Sequence, residues 1–153
     1  MKFSISKQHI EKRRKSPIFL AVYIIAISLT FYTLGEWTIS YLLISTFLIL
    51  ALTVIPNWLE SRRYIAEAKV HYIEVNDSSI LSFGEGYKSE TDLNAVSEII
   101  LNKNRSGLKS ILLKSGRSVL ARLENYEGIN KIASLIIKST PNAKIIEKRW
   151  IHS

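Results

Sequence analysis

Between two long apolar runs lies the stretch LGEWT (Leu34 to Thr38), which places a glycine, one carboxylate and a tryptophan in succession. Its reading decides the fold: it either interrupts one buried core element or forms the tip of a helical hairpin. Upstream, no charged residue occurs between Ser16 and Gly35; downstream, none occurs between Trp37 and Leu59. The runs PIFLAVYIIAISLTFYTL and WTISYLLISTFLILALTVIPNWL are too long for strands and lack the polar stripe of a surface helix. A bilayer core about 30 Å thick requires roughly 20 apolar residues in a helix, and each run meets that length. The rest of a 153-residue chain is too small to bury two such helices on all sides. LGEWT therefore reads as the tip of a two-helix membrane hairpin over residues 17–59. Gly35 supplies the positive φ of the turn, and Glu36 stays in water.

The flanks agree with insertion. Trp37 and Trp58 bracket the second run and Tyr32 lies near the end of the first, where aromatic rings favour the membrane interface. Pro17 stands where the first helix is expected to begin, and Pro56 near the expected end of the second. No small-x-small cleavage site follows the first run, which argues against a signal peptide. Ser28, Thr30, Ser40, Ser45 and Thr46 are candidates for helix packing. Neither span holds an ionisable residue, so an ion or proton path is not expected.

Charge sets the orientation. The leader, residues 1–16, contains Lys12, Arg13, Arg14 and Lys15, and Arg62 and Arg63 follow the second run. Between them the tip has no Lys or Arg, so both ends are expected in the cytoplasm. The net charge is +8, but from Tyr64 onward thirteen Lys and Arg oppose ten Asp and Glu, leaving only +3. The excess thus lies beside the apolar runs and not on the folded domain, which argues against nucleic-acid binding. The same basic run attracts an anionic lipid surface.

Residues 64–153 read as a separate domain. KVHYIEV alternates apolar and polar, NDSS is a turn and SILSF a second strand. FGEGYKSETD reads as a loop, VSEIILNKN as a strand, and LKSILLKSGRSVLARL as a hairpin with a two-residue turn. Ile129, Ile132, Ala133, Ile136 and Ile137 then share one helical face, with Asn125 as candidate N-cap, Glu127 in the first turn and Pro141 as the stop. Ile145 and Ile146 mark a last short strand, and Trp150 is placed to pack or to touch the membrane.

A β-meander closed by one amphipathic C-terminal helix resembles a pleckstrin-homology-like (PH-like) domain. With its hairpin, HYIEVNDSSILSF, LLKSGRSVLARL and YEGINKIASLIIK, the chain resembles bacterial membrane proteins that place a two-helix hairpin before such a domain. The resemblance implies a membrane hairpin plus an α+β, PH-like antiparallel meander or barrel at the inner membrane. It also implies head-group binding through basic residues in the first inter-strand loop. Here that loop, Asn76-Asp77-Ser78-Ser79, is short and acidic, so Lys103, Arg105 and Lys109 form the alternative basic edge for a partner or head group.

No catalytic set is evident. His9, His71 and His152 are scattered, Cys is absent, and Gly84-Glu85-Gly86 lacks the spacing of a phosphate loop. His71 and Glu74 are expected on opposite faces of a strand. The chain reads as a non-enzyme without cofactor or metal. The leading expectation is an accessory or regulatory subunit of a larger membrane protein, with self-association open. The alternative is an immunity protein that neutralises a bacterial toxin, in keeping with the frequency of Ile, Lys, Asn and Ser.

Overall fold

A computed structural model of the chain describes residues 1–35 and 38–149. It divides into two units, Gln8–Glu67 and a sheet unit made of Met1–Lys7 with Ala68–Ser153. Glu36, Trp37, Trp150 and His152, all singled out in the sequence, lie outside the described residues.

The helical unit consists of α1 (Lys7–Thr33) and α2 (Ile39–Val70). Both are long and apolar enough to cross a membrane, and almost nothing of their apolar windows is buried. Ile18, Phe19, Tyr41, Phe47 and Leu52 are among the large side chains left open. Gly35 turns the chain after α1 with φ of 72°. Both helices outrun the apolar segments. α1 begins at Lys7, so Pro17 sits inside it and not at its start; α2 continues past Pro56 to Val70. The physical reason is plain: an apolar run marks what hydrocarbon tolerates, whereas Glu, Lys and Arg are good helix formers in water. Val70, expected in a strand, is accordingly helical.

The sheet unit is α+β. The strands β1 (Lys2–Ser4), β2 (Tyr72–Val75), β3 (Ser79–Gly84) and β4 (Tyr87–Asp92) form one antiparallel sheet in that order. The strands β5 (Glu98–Asn104), β6 (Gly107–Ser115), β7 (Ser118–Glu124) and β8 (Lys144–Arg149) form a second, in the order β7-β6-β5-β8. β8 runs parallel to β5, with Ile145 beside Ile99. Among the described residues no ladder joins the two sheets, so the expected closed barrel is not formed. The helix α3 (Ile129–Ser139) presents Ile132, Ala133 and Ile136 to a core shared with both sheets. Ile73, Ile99, Ile111, Leu113, Ile132 and Ile136 are fully enclosed there. Each contributes about 1.5–3 kcal/mol of burial free energy.

Two elements differ from the sequence reading. The first residues are not simply a basic leader: Phe3 is buried, and β1 pairs with β2 through Phe3 opposite Ile73. The stretch YKSETD is not a loop but the edge strand β4, paired residue for residue with β3. The β6–β7 turn has the expected two residues but is displaced by one from Ser115-Gly116 to Gly116-Arg117, with Gly116 at φ of 58°. The cap of α3 is Gly128 at φ of 67° and not Asn125, which instead bends the chain earlier at φ of 64°.

Candidate functional site

β1 precedes α1 and β2 follows α2, so the helical hairpin is inserted between adjacent strands of one sheet. Both chain segments that lead to the helices are therefore held within the sheet unit. One short segment, Asn125 to Glu127, holds them together. On the first lead, Ser6 N–H donates to Asn125 O at 2.7 Å and Glu127 N–H to Ser4 O at 2.9 Å. Lys7 N–H adds a longer contact to the Glu127 carboxylate at 3.4 Å. On the second lead, His71 Nε2 meets Tyr126 Oη at 2.6 Å and its Nδ1 meets Tyr87 Oη at 3.1 Å.

A neutral imidazole has one donor and one acceptor nitrogen, and a tyrosine hydroxyl suits either. Partial burial holds His71 below the ordinary histidine pKa, which favours that neutral form. Tyr87 reaches His71 with its ring over Gly84, where an added Cβ would collide with the ring. His71 lies just before β2 and not on a shared strand with Glu74, which is ion-paired with Lys2 at 3.2 Å. The sequence pattern places His71 in no catalytic set and singles out neither Tyr126 nor Tyr87. Nothing local marks them, because their partners are far away in the chain.

The six basic residues beside the apolar runs fall in the helical unit and divide by role. Arg13 faces α2: its guanidinium bonds Glu60 at 2.6 Å and sits 5.8 Å from the Tyr64 ring centre. His9, one turn earlier, meets the Tyr64 ring edge-on at 5.7 Å. This clasp fixes α1 to α2 at the charged end of the hairpin. Arg62 lies over the Trp58 ring at 4.9 Å. Lys12, Arg14, Lys15 and Arg63 are exposed. Deeper in the hairpin, Thr46 Oγ1 donates to Ser28 Oγ at 2.7 Å, and the Ser28 hydroxyl in turn donates to Ile24 O at 3.0 Å. Thr30 and Ser45 bond only within their own helices.

Lys103, Arg105 and Lys109 surround the β5–β6 turn and not a free sheet edge, because β8 occupies the outer side of β5. Lys103 bonds Glu147 of β8 at 2.6 Å, which holds that carboxyl below its usual pKa. Arg105 and Lys109 remain exposed. Among the described residues β4, β7 and β8 have no strand on their outer side, whereas the outer side of β1 is bonded at its end by the Asn125–Glu127 segment, with Ile5 bridged to Tyr126. On β7, Val119 and Leu120 are exposed apolar side chains. Among the described residues no three His, Asp or Glu side chains gather to hold a metal ion.

The chain matches no family model, no curated protein and no solved structure.

Proposed function

We propose that this chain is a non-enzymatic protein of the bacterial inner membrane that displays a PH-like domain on the cytoplasmic side as an accessory or regulatory subunit of a larger membrane protein. The observation that carries this reading is the insertion of the hairpin between β1 and β2. A domain connected to its anchor by two chain segments stays at the membrane with it, which suits presentation of a surface to a neighbour in the same membrane. Insertion also requires both helix leads to emerge on one side of the bilayer. Lys12, Arg13, Arg14, Lys15, Arg62 and Arg63 make that side the cytoplasm. Continuous helix, at 1.5 Å per residue, carries Lys7–Ser16 about 15 Å beyond the apolar segment. The exposed edge of β7, with Val119 and Leu120, is the surface for strand addition by the partner.

Because the chain has no Cys, single-Cys variants report without background. In intact cells, Thr38→Cys should react with an impermeant maleimide and Asn76→Cys should react only after lysis. A photo-crosslinking residue at Val119 should then give one heavier adduct containing a membrane protein, while the same residue at Asp77 should not. Labelling of both Cys sites from outside would overturn the topology. Equal adducts from both crosslinking sites, or none, would overturn the docking edge.

A further inference from the structure

One face of α1 carries Gln8, Glu11, Lys12, Lys15, Ser16 and Phe19, and these line an open groove of about 480 Å³. Their spacing is helical, one stripe along three turns. The stripe changes chemistry along its length: two ammonium groups, a carboxylate, an amide and a hydroxyl come first, then an aromatic ring. The change falls beside Pro17, where the apolar run begins. With α1 read as a membrane span, the groove crosses from the head-group layer into the hydrocarbon. Arg13 and Arg14 do not line it, and Arg13 is committed to Glu60.

We propose that this groove is a binding site for an anionic glycerophospholipid, with the phosphate between Lys12 and Lys15, Ser16 and Gln8 donating to its oxygens, and an acyl chain along Phe19. The inference rests on the membrane reading of α1. Charge complementarity selects the occupant: Lys12 and Lys15 oppose the single carboxylate of Glu11, leaving the site positive. Polar groups above an apolar ring match a lipid, which has the same order of chemistry along the bilayer normal; an acidic protein segment has no counterpart for Phe19. The proposal differs from general attraction by a basic collar, because it assigns the effect to two lysines and not to their neighbour Arg14.

The test uses the full chain in nanodiscs of phosphatidylcholine with a minority of phosphatidylglycerol, reading retained phosphatidylglycerol by native mass spectrometry. Loss of two ammonium groups, Lys12→Gln with Lys15→Gln, should lower relative retention by about 30-fold at roughly 1 kcal/mol per charge. Arg14→Gln should leave it unchanged, and Phe19→Ser should lower it without altering net charge. Equal loss from Arg14→Gln and from Lys12→Gln would reduce the site to surface charge and overturn the proposal. No preference for phosphatidylglycerol in the unaltered chain would overturn it too. A fluorophore on Leu48→Cys, quenched by a mid-chain nitroxide lipid, reports separately whether the hairpin is in the hydrocarbon. Failure there sinks the membrane reading itself; quenching there with no lipid preference sinks the site alone.

Discussion

Phe3→Ala tests whether β1 ties the first helix lead to the sheet. Phe3 is 9% exposed and belongs to the common core, yet β1 is only three residues long. Phe→Ala in a core costs about 3–5 kcal/mol, the removed contacts adding to the cavity left behind. In so short a strand that cost falls on local opening and not on the whole domain. At about 3 kcal/mol the open population of β1 rises roughly 100-fold. Amide hydrogen exchange of the full chain in nanodiscs reads this directly. Three amides report on β1 and its lead: Val75, bonded to Met1 O at 3.0 Å, Ser6 to Asn125 O, and Glu127 to Ser4 O. They should exchange about 100-fold faster in the variant, while Ile99, Ile111 and Leu113 keep their protection. Phe3→Leu should restore most of it. Unchanged exchange at the three amides would show that β1 is not held through Phe3. A uniform rise across both sheets would show that β1 opens only with the whole domain.

Gly84→Ala should push the Tyr87 ring off its seat and break its bond to His71; loss of that bond weakens the sheet unit by about 1 kcal/mol, read as a fall in unfolding midpoint, and Tyr87→Phe should mimic it. His71 is held below the ordinary value of 6.5, so the unfolded chain binds its proton first; the stability that the neutral ring supports is complete above pH 6.5 and declines as pH falls toward the lower folded value, a slope that His71→Gln should remove from a stability-against-pH curve. Glu147 is held below its usual 4.5 by the Lys103 hydrogen bond and charge; its contribution is present above that value and lost on acidification through the lower folded value, and Lys103→Gln should raise its pKa in a carboxyl NMR titration. Thr46→Ala should weaken helix association in detergent by about 0.6 kcal/mol, whereas Thr30→Ala, whose hydroxyl bonds its own helix, should not.

The parts legible in the sequence are those whose pattern is local. Two uncharged runs announce α1 and α2, the spacing of Ile129, Ile132, Ala133, Ile136 and Ile137 announces α3, and Ser-Gly between alternating stretches announces the β6–β7 turn. What escaped depends on distant partners. KFS shows no strand pattern of its own and is fixed by pairing with residues 72–74. YKSETD is polar on both faces because, as an edge strand, it is exposed along nearly its whole length. The clasp of Arg13 with Glu60 and Tyr64, like the pairing of His71 with Tyr126, joins residues far apart in the chain. Basic residues were legible as a group; their division into a helix clasp, an exposed stripe on α1 and a sheet ion pair was not.

The inserted hairpin also bears on how the sheet assembles. The Met1 ammonium donates to Val75 O across a separation of 74 residues. For a flexible loop, closing such a span carries an entropy cost that grows with its length. Here the span is two helices whose polar ends are already fixed together by Arg13, Glu60 and Tyr64. Once the hairpin forms, the leads to β1 and β2 are brought near each other, and the remaining closure involves only a few residues. β1 should therefore join the sheet last, after the hairpin, because its long-range pairing becomes local only then. Disrupting the clasp by Glu60→Ala should slow protection of the Val75 amide in a pulse-labelling experiment and leave protection of Ile111 at its original rate. Equal slowing at both amides would assign the clasp a general effect on folding and refute this order.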